Sequence, residues 1–159
     1  MYEYIAKNLK KRGIELDSGQ SELVHKMIES VQPEKDITNK IENKSAKRGF
    51  YVWGDVGRGK TLIIKSFFNL LTERKAAFHY MEFMQTIHDE LSNLSGKKNP
   101  LSIIARSLSK KCKVVFIDEF QVEDITDAMI IGTLLNKLIK LNVCLYFTSN
   151  AHPDDLYKN

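Results

Sequence analysis

The order of apolar and polar positions changes character at Gly49. From there, short apolar runs that read as strands, at about 50–53, 76–80, 113–118 and 143–148, alternate with stretches that read as helices. The helices fall at about 60–73, 82–94, 101–109 and 125–140. Leu101, Ile104, Ala105 and Leu108 form an apolar stripe behind Pro100, a residue suited to the first turn of a helix. Two runs, Val114–Ile117 and Val143–Phe147, are apolar throughout, the pattern of strands covered on both faces. This alternation predicts an α/β core over residues 49–159, with helices on each side of a parallel sheet.

Residues 1–48 read as a helical lead-in and linker. Helices are expected at 2–12 and 21–31, the second with Leu23, Val24, Met27, Ile28 and Val31 on one face. Between them, Gly13 to Gln20 is a turn carrying an N-cap candidate. Pro33–Lys47 is polar and lysine-rich, anchored only by Ile37 and Ile41, and reads as a linker or a mobile helix.

Composition sets the class. With 43% hydrophobic and 28% charged residues in a chain of 159, a packed core is expected and disorder is not. The net charge of +4 is mild, and Lys10-Lys11-Arg12, Lys97-Lys98 and Lys110-Lys111 read as solvated faces, so nucleic acid is not the expected partner. Cys112 and Cys144 stand far apart and read as buried, reduced thiols, which fits a cytoplasmic protein. The histidines show no metal-ligand spacing. No run of about 18 apolar residues suggests a membrane span, and the N-terminus lacks a signal-peptide core.

The chemistry is concentrated in Gly54-Asp55-Val56-Gly57-Arg58-Gly59-Lys60-Thr61, a complete G-x-x-x-x-G-K-[ST] phosphate loop between a predicted strand and a predicted helix. Glycines let the backbone curl so that successive N–H groups face an anion, and the first turn of the following helix adds its unpaired N–H groups. Lys60 is placed to reach the β- and γ-phosphates of ATP, and Thr61 to offer its hydroxyl to Mg²⁺. Arg58 is expected to face solvent without a catalytic role.

Two further stations follow. Val114–Ile117 ends in Asp118-Glu119, a Walker B pattern in which Asp118 would hold Mg²⁺ and Glu119 would polarise the attacking water. Val143–Phe147 runs into Thr148-Ser149-Asn150, and an amide at the carboxyl end of a central strand can sense the γ-phosphate or the lytic water.

Three segments carry a resemblance. Gly49 to Thr61, Phe116-Ile-Asp-Glu-Phe-Gln-Val-Glu-Asp to Met129, and Thr148 to Asn159 resemble the ZapE-type family of AAA+ ATPases, which has bacterial cell-division members and mitochondrial relatives. The resemblance implies an ATPase acting on the division ring or in protein quality control, with a division-ring or membrane-associated protein partner and a homo-oligomeric state. It also implies a strand order in which the Asn150 strand lies between the two Walker strands. Asp17…Gln20 is similar to a family segment that lies near the adenine. Met81 departs from the family, standing where a second histidine of its His-Phe-His pattern would fall.

The family continues beyond the position of Asn159, so the core is expected to lack its C-terminal part, including a fifth strand over the outer edge of the phosphate-loop strand. The last arginine is Arg106, ahead of the Walker B strand, and Lys158 lacks the planar fork of an arginine finger. Marginal stability and weak turnover are the expectation. Two other readings stay open: a nucleotide-binding fragment without turnover acting as an interaction module, and a helicase-loader-like ATPase working on DNA.

Overall fold

A computed structural model describes residues 1–31 and 49–156, so the expected linker at Pro33–Lys47 and Lys158 lie outside the described residues. The chain divides into two units. One joins the N-terminal residues to Thr61–Leu71, and the other joins the segment ending at Lys60 to the chain from Thr72 onward.

In the first unit, α1 (Tyr2–Lys10) buries Ile5 and Leu9, and α2 (Ser18–Val31) buries Val24, Met27 and Ile28. The ring of Tyr2 stacks on His25 with centroids 4.3 Å apart, and its hydroxyl donates to Ser21 Oγ at 3.1 Å. Helix α2 starts earlier than its apolar spacing suggests because a capping box closes its first turn. Asp17 Oδ1 accepts from Gln20 N–H at 2.8 Å, and Gln20 Oε1 accepts from Asp17 N–H at 2.9 Å. Helix α3 (Lys60–Phe68) buries Ile63, Ile64, Phe67 and Phe68. It stops short of the expected 73 because its tail tightens: Leu70 and Leu71 N–H donate to the carbonyls of Phe67 and Phe68, three residues back.

The second unit holds β1 (Gly49–Trp53), β2 (Lys75–His79), β3 (Val114–Asp118) and β4 (Cys144–Ser149) in one parallel sheet of order β1-β4-β3-β2. β4 thus lies between the strands of the two Walker patterns, the order the resemblance implied, and among the described residues β1 is an edge. Helices α4 (Tyr80–Asn93), α5 (Pro100–Lys111) and α6 (Ile125–Lys140) complete the crossovers. Phe83, Met84 and Ile87 of α4, Ile104 and Ala105 of α5, and Ile131, Leu134 and Leu138 of α6 bury against Val115, Ile117 and Leu145. The N-terminus of α6 is capped by Asp124, whose Oδ1 accepts from Asp127 N–H at 2.9 Å. Cys112 is buried and Cys144, at the start of β4, is only half-buried; the two form no disulfide.

Two residues set limits on this packing. Gly49 opens β1 at φ 142°, and a Cβ there would lie 1.6 Å from the Leu145 carbonyl oxygen of its partner strand. Tyr80, 3% exposed, carries a hydroxyl without a hydrogen-bond partner among the described residues. Burial, followed by the charges of Asp127, Asp124 and Glu123, pushes its phenol up to about 12.

Gly49→Ala is therefore expected to cost about 3 kcal/mol in denaturant unfolding, since neither the φ nor the neighbouring backbone can yield cheaply. Gly96→Ala, also at positive φ but in open space, should cost about 1 kcal/mol. Tyr80→Phe is expected to be neutral or stabilising, because it removes a buried hydroxyl with no partner. The sign of the pH effect follows. A phenol whose folded pKa is raised contributes stability that is full below about pH 10, its unfolded value, and lost as pH rises toward 12. Stability of the parent should fall over that window more than stability of Tyr80→Phe, and parallel curves would contradict the burial of the hydroxyl.

Candidate functional site

All four strands point the same way, so their carboxyl ends meet at one edge of the sheet, where open α/β folds place ligands. β1 delivers the glycine loop there. Gly57 and Gly59 take φ of 83° and 72°, and a Cβ added at either would meet no protein atom within 4 Å. The space beside these two residues is open. Val56 and Arg58 lie exposed on its rim.

Lys60 spans this loop. Its Nζ donates to Gly54 O and Asp55 O at 2.7 Å each, and to Asn150 Oδ1 at 3.0 Å. The strand register explains the last bond: Trp53 pairs with Ser149, so the residues that follow each strand emerge side by side. Asn150 is held from behind as well. The Tyr51 hydroxyl donates to Ala151 O at 2.9 Å, and Ala151 N–H donates to Ser149 Oγ at 3.1 Å. Burial raises the Tyr51 phenol, with a hydrogen bond to Ser149 opposing.

The carboxylates sit one strand further along. Asp118 ends β3 half-buried and accepts a short hydrogen bond from Thr148 Oγ1. The same Thr148 oxygen accepts Glu119 N–H at 3.0 Å. Glu119 is held at φ 54°, a left-handed conformation uncommon for a residue with a side chain. Phe120 N–H then bonds Thr148 O at 2.7 Å, and the buried Ser149 Oγ donates to Phe120 O at 2.7 Å. The exposed Glu119 carboxylate meets His79 Nε2 at 2.8 Å. His79 ends β2, in register with Asp118.

The structure therefore brings together Gly54, Asp55, Lys60 and Asn150 by direct contact, and joins Asp118 and Glu119 through Thr148. Thr61 follows Lys60 as the second residue of α3. Sequence reasoning missed Thr148, Tyr51 and His79. The first stood in view as the residue two before Asn150; the others become visible only once the sheet order is known.

A family model for AFG1-like ATPases matches residues 3–159. The chain belongs to the AFG1-like ATPase family. It is similar to the cell division protein ZapE of Escherichia coli K12, with 46% identity over 113 residues, covering 70% of this chain and 30% of that protein. It is also similar to lactation elevated protein 1 homolog B of Danio rerio, with 31% identity over 147 residues, covering 80% of this chain and 29% of that protein. The chain thus spans about 30% of the length of these relatives. Its α/β fold is of the AAA+ type and resembles AMPPCP-bound DnaA from Aquifex aeolicus, with a TM-score of 0.61 over 91% of this chain and 42% of that one, at 18% identity. No helix among the described residues is long and apolar enough to cross a membrane.

The Thr148 bridge is open to test. Thr148→Val keeps the shape but leaves the Glu119 N–H without its acceptor, and should lower unfolding stability by about 2 kcal/mol. Thr148→Ser should recover most of the loss, and equal urea midpoints for all three proteins would show that the hydroxyl holds nothing.

Proposed function

We propose that this chain is the nucleotide-binding part of an ATPase, holding Mg·ATP on the loop Gly54–Thr61. The observation that carries this reading is the Lys60 ammonium, drawn across the glycine loop and tied to Asn150 at the carboxyl edge of a parallel sheet. Family membership supports it. The loop suits phosphates, since Gly57 and Gly59 at positive φ give its backbone the curl and both are open on the side a Cβ would occupy. A hydroxyl on Thr61 and the carboxylate of Asp118 are the hard oxygen donors that Mg²⁺ prefers. When bound, the metal would supply neutralising charge between the β- and γ-phosphates.

Within that site each side chain has one task. Lys60 exchanges its loop carbonyls for phosphate oxygens. Asn150, at the loop's other rim, orients the γ-phosphate or the attacking water. Glu119 takes the proton from that water, and His79 fixes which way its carboxylate faces. Thr148 keeps Glu119 and Asp118 in register. At the family's full length the protein would hydrolyse ATP in the cytoplasm as a homo-oligomer, linked to cell division or to protein quality control. The name of the similar E. coli protein supports the first of these links.

Lys60→Ala should weaken Mg·ATP binding at least tenfold, about 1.4 kcal/mol by calorimetry. Equal affinity in parent and variant would refute the phosphate-loop assignment. In a chain extended to family length, Glu119→Gln should still bind ATP while turnover falls by about two orders of magnitude or more, and His79→Ala should lower turnover less. Undiminished hydrolysis by Glu119→Gln would assign the base to another residue.

A further inference from the structure

The flank of the α5–α6 pair carries a second cluster that the nucleotide site does not use. Ser102, Ala105 and Arg106 of α5 and Lys137, Lys140 and Leu141 at the end of α6 line a cleft of about 160 Å³. Three of these six residues are cations. Among the described residues none of the three has a carboxylate within ion-pair distance. The sequence explains this bareness: no acidic residue occurs from Leu91 to Ile117 or from Ala128 to Pro153. The acids of this layer, Glu123, Asp124 and Asp127, belong to the opposite end of α6.

Ordinary helix electrostatics account for part of the cluster. Lys137 and Lys140 stand in the last turn of α6, where cations suit the helix dipole. Arg106 does not, because it lies in the middle of α5 and still faces the same cleft. Lys137 is half-exposed, and Arg106 and Lys140 are exposed at the rim of the cleft. The donors are complementary in kind: a planar guanidinium fork, two ammonium groups and the Ser102 hydroxyl. The cleft is open to solvent, and its donors can converge on one phosphate group.

We propose that this cleft is an anion site for a phosphomonoester, separate from the phosphate loop. Binding involves no chemistry; Arg106 grips two oxygens, and Lys137, Lys140 and Ser102 hold the rest. The ligand's source, a soluble ester or a lipid headgroup, shares this recognition and is separated by experiment.

Titration of the chain with glycerol 1-phosphate, followed by ³¹P NMR, tests the site. In the Lys60→Ala background, which silences the phosphate loop, the ester should still bind, whereas adding Arg106→Gln/Lys137→Gln/Lys140→Gln should lower affinity at least about tenfold. Arg106→Lys keeps the charge without the fork and should fall between them. In parallel, sedimentation with phosphatidylcholine vesicles containing phosphatidic acid reads the lipid source. Vesicle retention that the triple variant loses assigns the phosphate to a headgroup, and loss confined to the soluble ester assigns it to a metabolite; either supports the site. Should the triple variant fail to fold by circular dichroism, Lys137→Gln alone serves, with a smaller loss expected. Binding unchanged in a folded cleft variant, or absent from the parent in both arms, overturns the proposal, and loss in Lys60→Ala alone assigns the anion to the loop.

Discussion

Everything at the candidate site depends on β4 pairing in parallel with both β1 and β3. Parallel strands share one carboxyl edge, so a loop and three strand ends that are remote in sequence arrive together. The register decides who meets whom. Trp53 opposite Ser149 sets the loop beside Asn150, and His79 opposite Asp118 sets an imidazole beside Glu119. A slip of one residue would turn every side chain of a strand to the other face. Gly49 guards against it, because the β1 backbone approaches the Leu145 carbonyl more closely than any side chain permits.

A left-handed residue stands where this edge becomes polar. Glu119 sits at positive φ, a cost that a free turn would relax. It persists because its N–H is fastened to Thr148 and the next N–H to the Thr148 carbonyl. Ser149 completes the clasp from the buried side through Phe120. Two small hydroxyl residues at the end of β4 therefore fix the backbone that carries both carboxylates, and Asn150 follows directly after them.

The alternation of strands and helices, and the placing of Gly54–Thr61 and Asp118-Glu119 at strand ends, were legible in the sequence because each is written in consecutive residues. Element starts were less so. The D-x-x-Q spacing of Asp17 and Gln20 is a local capping signal, yet the apolar stripe of α2 pointed to a later start. The tail of α3 was overextended because apolar residues continue through Leu71 after the helical bonds have tightened. Contacts across strands were the hardest. His79 and Glu119 are joined only by a sheet order, and no spacing along the chain encodes it. The cationic α5–α6 flank was visible as scattered lysines, but the absence of acids around it gained meaning only once Arg106 and Lys137 lined one cleft.

Lys60 is satisfied three times over by atoms of its own protein. The ammonium acts as an internal occupant that keeps the loop in shape. At Lys60 itself, any anion that took the ammonium would have to replace three bonds already made, so the gain there would be the difference in charge between an anionic oxygen and a carbonyl or amide oxygen. The side chain would therefore discriminate by charge: an uncharged group would displace three good acceptors and offer the ammonium nothing stronger in return.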